Sequence, residues 1–447
     1  MALGTYRKLL LVIGDLALFW AGLLVTLSVR YGITRLDRAL LPLHIVPFSI
    51  VFAVWLVVFY IAGLYDFRAV RSYQTTLKLL ASAMATGGVI AIMLFYFVPA
   101  FTITPRTNLI IDIFLSTALL ALWRSLVIFA NKNTSKIRVM LVGQSPDIAE
   151  IEETIHTIPE LGYKVVSRFE QIPDDIASHV NPINTDMVVA PREAQSHTAL
   201  VQALYESLGK RVRFVDATRF YEELFGKIPV SLISKMWFLE NIAEAEKNFF
   251  EAAKRAVDIV LSLPLGILAL ALFPFVSLAI RLDTEGPIFI RQKRVGKLGR
   301  VYTHYKYRTM RALSPEGHAE LNGVEWTQKG DERVTRVGKF LRSTRIDELP
   351  QIWNILKGEL SFVGPRPERP EFVENLRKEI PYYDVRHLVR PGLSGWAQIN
   401  PPYYYASLED TYLKLQYDLY YIKNRDWGLD IAIALKTLLV ILSRQGR

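Results

Sequence analysis

Cysteine is absent from all 447 positions of the chain. This absence excludes a disulfide framework, a thiolate metal site and a cysteine nucleophile. Charge is also scarce, at 21% of residues, and acidic residues are the minority, with 43 Asp and Glu against 53 Lys and Arg. Apolar residues make up 51% of the chain. This composition argues against a disordered chain and an ordinary soluble enzyme, and it indicates a multi-domain membrane protein with basic polar parts.

Four long apolar runs lie near the N-terminus, at residues 9–29, 45–64, 77–98 and 109–130. Each is close to the ~20 residues that a helix needs to cross ~30 Å of hydrocarbon. The first run lacks a small-residue cleavage site and is followed at once by others, so it is unlike a cleavable signal peptide. We therefore predict an N-terminal four-helix transmembrane bundle over residues 1–133.

The loops between these runs carry unequal numbers of basic residues. Eight lie on the side of both ends of the bundle and four lie on the other side, which predicts that both ends are cytoplasmic. The eight are Arg7, Lys8, Arg68, Arg71, Lys78, Lys132, Lys136 and Arg138, and the four are Arg30, Arg35, Arg38 and Arg106.

Three charged residues, Asp15, Asp112 and Arg124, fall inside the apolar runs. A charge within a membrane span suggests a functional site, and a transporter is the function that such charges would indicate. The alternative is a buried polar contact within the bundle. Both aspartates lie in the second turns of their helices, which favours the second interpretation.

Short β-rich runs alternate with polar helical stretches over residues 137–225. The runs at 137–142, 163–166, 186–190 and 212–215 predict a Rossmann-like α/β middle domain with a parallel, doubly wound sheet. Gly143 stands alone in the first turn, where a dinucleotide fold needs several glycines. A structural or regulatory module is therefore favoured over a degenerate ligand site. Residues 226–248, rich in charge and aromatics, are predicted to form a linker.

A fifth apolar run covers residues 259–280 and is long enough to span. Basic residues flank both of its ends, and Pro264 and Pro274 interrupt it. We predict a re-entrant membrane helix over residues 254–280 that breaks at these prolines, in a mainly α-helical domain covering residues 249–447. A fifth spanning helix is the alternative.

Basic residues concentrate after this run. Between residues 281 and 311 there are nine basic residues against two acidic ones, a net charge of +7 where the whole chain has +10. Such a cluster attracts anionic lipid headgroups, and it would equally hold a phosphate on a lipid substrate or a nucleotide. No DNA or RNA recognition motif accompanies it, so nucleic acid is not an expected partner.

An acidic pair, Asp347 and Glu348, is predicted to open a helix whose apolar face contains Leu349, Ile352, Trp353 and Leu356. Taken alone, the pair is ordinary helix capping. Its surroundings suit phosphate, a divalent metal and a carboxylate nucleophile, because arginines crowd the same stretch. They are Arg333, Arg336, Arg342, Arg345, Arg366 and Arg369.

From Lys254 onwards the chain resembles the bacterial sugar transferase family, the polyprenyl-phosphate glycosylphosphotransferases that begin exopolysaccharide and O-antigen units on a lipid carrier. The large members of this family also have comparable membrane and middle domains. The matching motifs, in family order, are KRAVD (254–258), GPIFIRQKRVG (286–296), YKYRTM (305–310), DERVTRVGKFLRSTRIDELPQ (331–351), NILKGELSFVGPRP (354–367), RPGLSGWAQIN (390–400) and KLQYDLYYIKN (414–424).

The resemblance implies transfer of a sugar 1-phosphate from a UDP-sugar to undecaprenyl phosphate, with release of UMP. It implies that Asp347 is the nucleophile, that it forms an aspartyl-phosphosugar intermediate, and that Glu348 binds Mg²⁺. The substrate- and phosphate-binding positions that it implies are Lys306, Arg308, Arg333, Arg342, Gln351 and Arg366. The alternative is a catalytically inactive membrane scaffold for polysaccharide assembly.

The resemblance further implies a multi-pass protein of the bacterial inner membrane with its catalytic domain on the cytoplasmic side, in contact with membrane lipids. A homodimer through the membrane or middle domain is also expected. Pro401, Pro402 and a tyrosine-rich loop at 403–405 stand where many members carry glycine and arginine, and Glu359 replaces the usual aspartate. These departures leave the donor sugar open.

The C-terminal apolar segment 429–442 is too short to span. We predict an interfacial helix that lies on the bilayer surface, and packing on the catalytic domain is the alternative.

Overall fold

The computed structural model describes residues 2–32, 40–65, 73–97, 106–132, 136–173, 175–180, 183–207, 212–242, 247–314, 331–400 and 407–442. Arg35, Arg38, Arg68, Arg71 and the segment 401–405 lie outside these ranges. The chain divides into two compact units, Met1–Phe225 and Gly226–Arg447.

The first unit begins with four long helices. They are α1 (Ala2–Tyr31), α2 (Leu40–Ile61), α3 (Tyr73–Phe97) and α4 (Arg106–Lys132). Each is long and apolar enough to cross a membrane. Aromatic side chains such as Phe52 and Trp55 are fully buried between them, while others such as Tyr96 and Phe114 are largely exposed. Helices that are apolar on both their packed and outer faces are typical of a membrane protein.

Close helix contacts in this unit depend on small residues. A Cβ on Gly87 would lie 2.6 Å from the Trp55 ring, and a Cβ on Gly22 would lie 2.3 Å from Ser116 Oγ. Asp15 and Arg124 form a buried ion pair between α1 and α4, with Oδ2 and Nη2 2.5 Å apart. For these two residues the structure therefore gives the buried polar contact that the sequence favoured.

A four-stranded parallel sheet follows, in the order β2-β1-β3-β4. Its strands lie where the sequence predicted them: β1 (Ile137–Val142), β2 (Tyr163–Phe169), β3 (Met187–Ala190) and β4 (Arg213–Asp216). The accompanying helices are α5 (Pro146–Thr157), α6 (Ile176–His179), α7 (Thr198–Glu206) and α8 (Ala217–Phe225). A Rossmann-like identity and a separate middle domain stay predictions.

The first turn of this sheet supports the structural interpretation of Gly143. The residue has φ +126°, and a Cβ there would lie 2.6 Å from Ile148 Cδ1. Glycine is thus required by backbone conformation and packing. Asp147 lies in the first turn of α5 and adds a negative charge where a dinucleotide fold binds pyrophosphate.

The second unit combines helices with two small sheets. Its helices are α9 (Lys235–Asn241), α10 (Asn248–Asp283), α11 (Arg336–Thr344), α12 (Ile352–Lys357), α13 (Pro370–Glu379), α14 (Trp396–Ile399), α15 (Leu408–Asn424) and α16 (Trp427–Leu442). The strands β5 (Phe289–Val295) and β6 (Val301–Tyr307) pair antiparallel, and β7 (Ser361–Val363) and β8 (Gly392–Ser394) pair parallel.

The predicted linker at 226–248 is wrong for its described part. Ile228, Val230, Ile233 and Trp237 are buried in one core with residues of α13 and α15, such as Leu419. The segment was misread because its apolar residues are irregularly spaced and stand among charges, so they follow neither helical nor strand periodicity.

Helix α10 contains both prolines within its 36 residues, so the helix ends at neither Pro264 nor Pro274, and the re-entrant path stays a prediction. A proline removes only one backbone donor, and an apolar environment favours keeping the remaining backbone groups bonded within the helix. Both sides of its long apolar stretch are bound to the rest of the second unit. Asp258 Oδ1 accepts from Ser361 Oγ at 3.1 Å, and Asp283 Oδ2 accepts from the Val337 amide at 3.0 Å. Between these ends the helix exposes apolar side chains, among them Leu270.

Helix α16 packs on the rest of the second unit through its first turns, as the alternative had it, and its location on the bilayer surface stays a prediction. Asp430, Ala432 and Ile433 are buried. Asp430 bonds to the buried Lys254 of α10 and accepts from Tyr421 at 2.8 Å.

Candidate active site

The acidic pair lies in the 3-10 turn Ile346–Gln351, between α11 and α12. Arg345 enters this turn with φ +59°, a left-handed conformation that costs a residue other than glycine about 1 kcal/mol. The predicted helix therefore starts only at Ile352. Its inward face includes Ile355, whereas Trp353 is 56% exposed, contrary to prediction. Trp353 instead has the Lys357 ammonium 5.5 Å from its ring.

Three cations surround one oxygen of Glu348. Oε1 lies 2.9 Å from Arg366 Nη2, 3.2 Å from Lys306 Nζ and 3.5 Å from Arg345 Nη1. Burial alone would raise the pKa of Glu348, but Lys306, Arg366 and Arg345 together hold it well below its usual range. Glu348 is therefore an ionised anchor that fixes the position of three positive groups.

Asp347 has a different environment although it is the next residue. Its side chain is 7% exposed, and its Oδ1 atom has no hydrogen-bond partner within the described part of the chain. Burial raises the pKa of Asp347, the charge of Glu348 raises it further, and the nearby cations Lys306, Arg345 and Arg342 oppose this rise. An ionised carboxylate oxygen without hydrogen bonds, in a cationic setting, is a good nucleophile for a phosphoryl group.

Three further predicted residues contribute in different ways. Arg342, at the end of α11, is close enough to Asp347 to lower its pKa. Gln351 is buried, and its Nε2 donor has no partner among the described residues. The guanidinium of Arg333 is bound to both carboxylate oxygens of Asp331, with Nε at 2.9 Å and Nη2 at 2.7 Å.

The described contacts of Arg308 do not include the acidic pair, and its phosphate-binding role stays a prediction. The side chain is buried, with Nη1 donating to the Glu285 carbonyl at 2.6 Å and Nη2 to the Thr284 carbonyl at 2.7 Å. It thereby binds the chain just after α10. Lys306 lies on β6 and faces Glu348, whereas Arg308 lies one residue beyond the end of that strand, so its side chain does not follow the strand's pattern.

Comparison with known proteins agrees with this site. Residues 249–444 match the family model described as bacterial sugar transferase. A relative from Caulobacter vibrioides, named UDP-glucose:undecaprenyl-phosphate glucose-1-phosphate transferase, is 37% identical over 195 residues, which cover 42% of this chain and 70% of that protein. The chain belongs to the bacterial sugar transferase family.

Other relatives of this sugar transferase are named for other sugars. The Aeromonas hydrophila UDP-N-acetylgalactosamine-undecaprenyl-phosphate N-acetylgalactosaminephosphotransferase is 46% identical over 197 residues, 43% of this chain and 44% of the relative. The Salmonella typhimurium undecaprenyl-phosphate galactose phosphotransferase is 35% identical over 216 residues, 46% of this chain and 43% of the relative. The chain thus matches less than half the length of these two relatives.

Sequence reasoning missed the polar supports of the sugar transferase site. Asn354 of α12 donates to the Thr303 carbonyl of β6 at 2.6 Å and to Glu359 Oε2 at 2.7 Å. This contact ties the strand that carries Lys306 to the helix that follows the acidic pair. Glu359, the departure noted in the sequence, therefore has a structural contact. The asparagine in the NILKGE motif was the available signal, since a polar residue between apolar helix positions needs a partner.

The resemblance implies a magnesium ion, and the carboxylates of the candidate site can be compared with what such an ion requires. Within the described ranges, no cluster of three or more His, Asp or Glu is placed to hold a metal alone. Mg²⁺ is commonly bound through one or two carboxylates plus substrate phosphates. Glu348 Oε2, the oxygen outside the three contacts above, is the carboxylate atom that suits this role, which leaves Asp347 Oδ1 for attack.

Proposed function

We propose that this protein is a phosphoglycosyl transferase that moves a sugar 1-phosphate from a UDP-sugar to undecaprenyl phosphate. The observation that carries the proposal is the contrast within the acidic pair. Glu348 is neutralised by three cations, whereas the buried Asp347 keeps an oxygen without a hydrogen bond among the described residues. Glu348 thus holds positively charged side chains in place, while the adjacent Asp347 has a carboxylate oxygen that is available to attack.

In the first step, Asp347 attacks the phosphorus next to the sugar. A bond forms between the carboxylate oxygen and this phosphorus, and the bond to the bridging oxygen breaks, so UMP leaves with the electron pair. Lys306, Arg342 and Arg366 reduce the repulsion between the carboxylate and the diphosphate. Mg²⁺, held through Glu348, would supply additional neutralisation of phosphate charge.

In the second step, a phosphate oxygen of undecaprenyl phosphate attacks the same phosphorus. The bond to Asp347 breaks, its carboxylate is restored, and undecaprenyl diphosphate sugar is formed. The covalent intermediate lets one site accept a water-soluble donor and a membrane-bound acceptor in turn.

The membrane geometry follows from α10. A compact unit bound to both Asp258 and Asp283 favours a helix that enters the cytoplasmic leaflet and returns, over one that spans. Because the chain has no cysteine, single cysteines introduced at positions 300 and 420 would be its only thiols. We expect both to react only with reagents that reach the cytoplasm. Labelling of either one from outside would contradict the re-entrant arrangement.

The function is tested by UMP release from purified full-length protein with undecaprenyl phosphate and Mg²⁺. UDP-N-acetylgalactosamine, UDP-glucose and UDP-galactose form the donor panel, because the relatives are named for these three sugars.

We expect Asp347→Asn to abolish UMP release and any phosphosugar adduct. Asp384→Asn, which changes an exposed acid far from the pair in sequence, is the control and keeps turnover. Unchanged turnover in Asp347→Asn would overturn the mechanism, and an inactive wild-type chain would favour the scaffold alternative.

A further inference from the structure

Arg386 lies against the main chain of Arg366 and is only 6% exposed. Its Nη2 atom donates to the Arg366 carbonyl at 2.9 Å and to Asp418 Oδ2 at 2.8 Å. Its Nη1 atom donates to the Tyr383 hydroxyl at 2.5 Å. These bonds to protein atoms occupy both terminal nitrogens, so Arg386 is a support and not a group that meets the substrate.

Arg366 is held on both its side chain and its main chain. The guanidinium contacts Glu348 Oε1 at 2.9 Å and the Leu393 carbonyl at 3.3 Å. The short loop that carries it is fixed to β8 through Gly364, whose amide donates to the Ser394 carbonyl at 2.8 Å. Arg386 adds a side-chain bond at the residue itself. A shift of this carbonyl would move the guanidinium relative to Glu348.

Asp418 of α15 is almost fully buried, and its Oδ1 atom has no partner within the described residues. Burying such an ion pair is expensive, and apolar replacements are often equally stable. Stability alone is therefore a weak reason for the pair. The geometry is a stronger reason for the pair. The planar Arg386 guanidinium, fixed by the Asp418 carboxylate, can direct a second hydrogen bond to the Arg366 carbonyl.

We propose that Arg386, oriented by Asp418, is a positioning residue that sets where the Arg366 guanidinium meets the donor diphosphate. This inference rests on the proposed function for its substrate. It also makes a purely structural claim, that the contact between Arg366 and Glu348 depends on Arg386.

Arg386→Lys is the informative variant. Lysine keeps a positive charge beside Asp418 but lacks the planar fork that reaches Arg366 and Asp418 together. We expect kcat/KM for UMP release to fall about 10-fold to 100-fold, the range that displaced catalytic groups produce. In an Arg366→Ala background the same change should cost less than about 2-fold, because the group that it positions is gone. An equal loss in both backgrounds would overturn the proposal.

The matched control is Arg377→Lys. Arg377 forms a comparable 2.8 Å pair with Asp384, but both side chains are about half exposed. We expect no change in kcat/KM in either background. If Arg386→Lys fails to fold, Asp418→Glu replaces it, since the longer side chain keeps the charge while displacing the arginine. We expect the loss of kcat/KM in Asp418→Glu to depend on Arg366 in the same way. A loss that is equal with and without Arg366 would also contradict the proposal.

A second measurement separates this inference from the proposed function. The coupling between Arg366→Ala and Glu348→Gln is measured as a double-mutant cycle on the thermal unfolding midpoint. We expect clear coupling in the wild-type background and none in the Arg386→Lys background. If the wild-type chain releases no UMP, the proposed function fails, and this cycle still decides the positioning claim. Coupling that persists in Arg386→Lys would overturn it.

Discussion

The pKa values of the adjacent carboxylates Asp347 and Glu348 shift in opposite directions because their neighbours differ. Glu348 has three cations around one oxygen, and its pKa is lowered. Asp347 is buried beside that negative charge, and its pKa is raised above the usual 3.8. Pairs of groups whose pKa values are pushed apart are typical of sites that assign different roles to similar residues.

A pH dependence follows from this difference. The nucleophile must be ionised, so turnover should be lost as pH falls through the raised pKa of Asp347. Because Arg342 lowers that pKa, Arg342→Gln should raise it and move the acid limb of the single-turnover rate to higher pH. The profile of UMP release against pH measures this shift. Lys339→Gln, at an exposed position of the same helix, is the control. An acid limb that stays in place in Arg342→Gln would contradict the assignment.

Asp15 and Arg124 give a second prediction, on stability. Replacing either one alone by leucine leaves its partner buried without a counter-charge, at a cost of about 3–5 kcal/mol. Replacing both by leucine should recover most of this loss. Unfolding of the full-length protein in SDS checks the three variants. If the double variant is as unstable as the single variants, Asp15 and Arg124 stabilise the protein through more than their ion pair.

Helix α11 illustrates how one close contact fixes a catalytic segment. A Cβ on Gly338 would lie 2.0 Å from the backbone oxygen of Thr309, which cannot move as a side chain can. We expect Gly338→Ala to lower stability by about 1–3 kcal/mol and to reduce turnover, since α11 carries Arg342 and leads to Arg345.

The matched glycine is Gly266, in the exposed middle of α10. Its Cβ would lie 3.8 Å from Ile352, an ordinary contact, so Gly266→Ala should be neutral or stabilising by about 1 kcal/mol. Thermal midpoints and UMP release of the two variants test the comparison. Comparable losses in both would show that the space around Gly338 is not the cause.

Elements with local signals were predictable, and those defined by distant contacts were not. Strands β1 to β4 were found from their apolar runs, and the four N-terminal helices from their length. The burial of Trp237 depends on α13 and α15, more than 130 residues away, so periodicity around it gave no signal. Likewise, the acidic pair was visible as a motif, but its partners Lys306 and Arg366 come from separate segments. The contacts of Arg308 with the Glu285 and Thr284 carbonyls were not predicted, because a motif fixes residue types without fixing what each side chain contacts.

Most of the net positive charge of the chain lies in one segment. Of the net charge of +10, +7 lies between residues 281 and 311, near the end of α10. In the second unit, strand β5 exposes Arg291 and Lys293, whereas Lys306 on β6 is turned to Glu348. The basic segment therefore combines a group for the site with groups that suit anionic headgroups, which is what an enzyme at a lipid surface requires.

All residues assigned to the site lie in Gly226–Arg447, whereas the buried ion pair lies in Met1–Phe225. A phosphoglycosyl transferase needs the former for chemistry, and a transporter would need the charges of the latter. The double variant Asp15→Leu with Arg124→Leu removes both charges while leaving neither without its counter-charge. We expect its rate of UMP release to equal that of the wild-type protein, measured in the same detergent with the amount of folded protein matched. Lost turnover in a folded double variant would instead link the membrane charges to the reaction, and the transport interpretation would then have to be reconsidered.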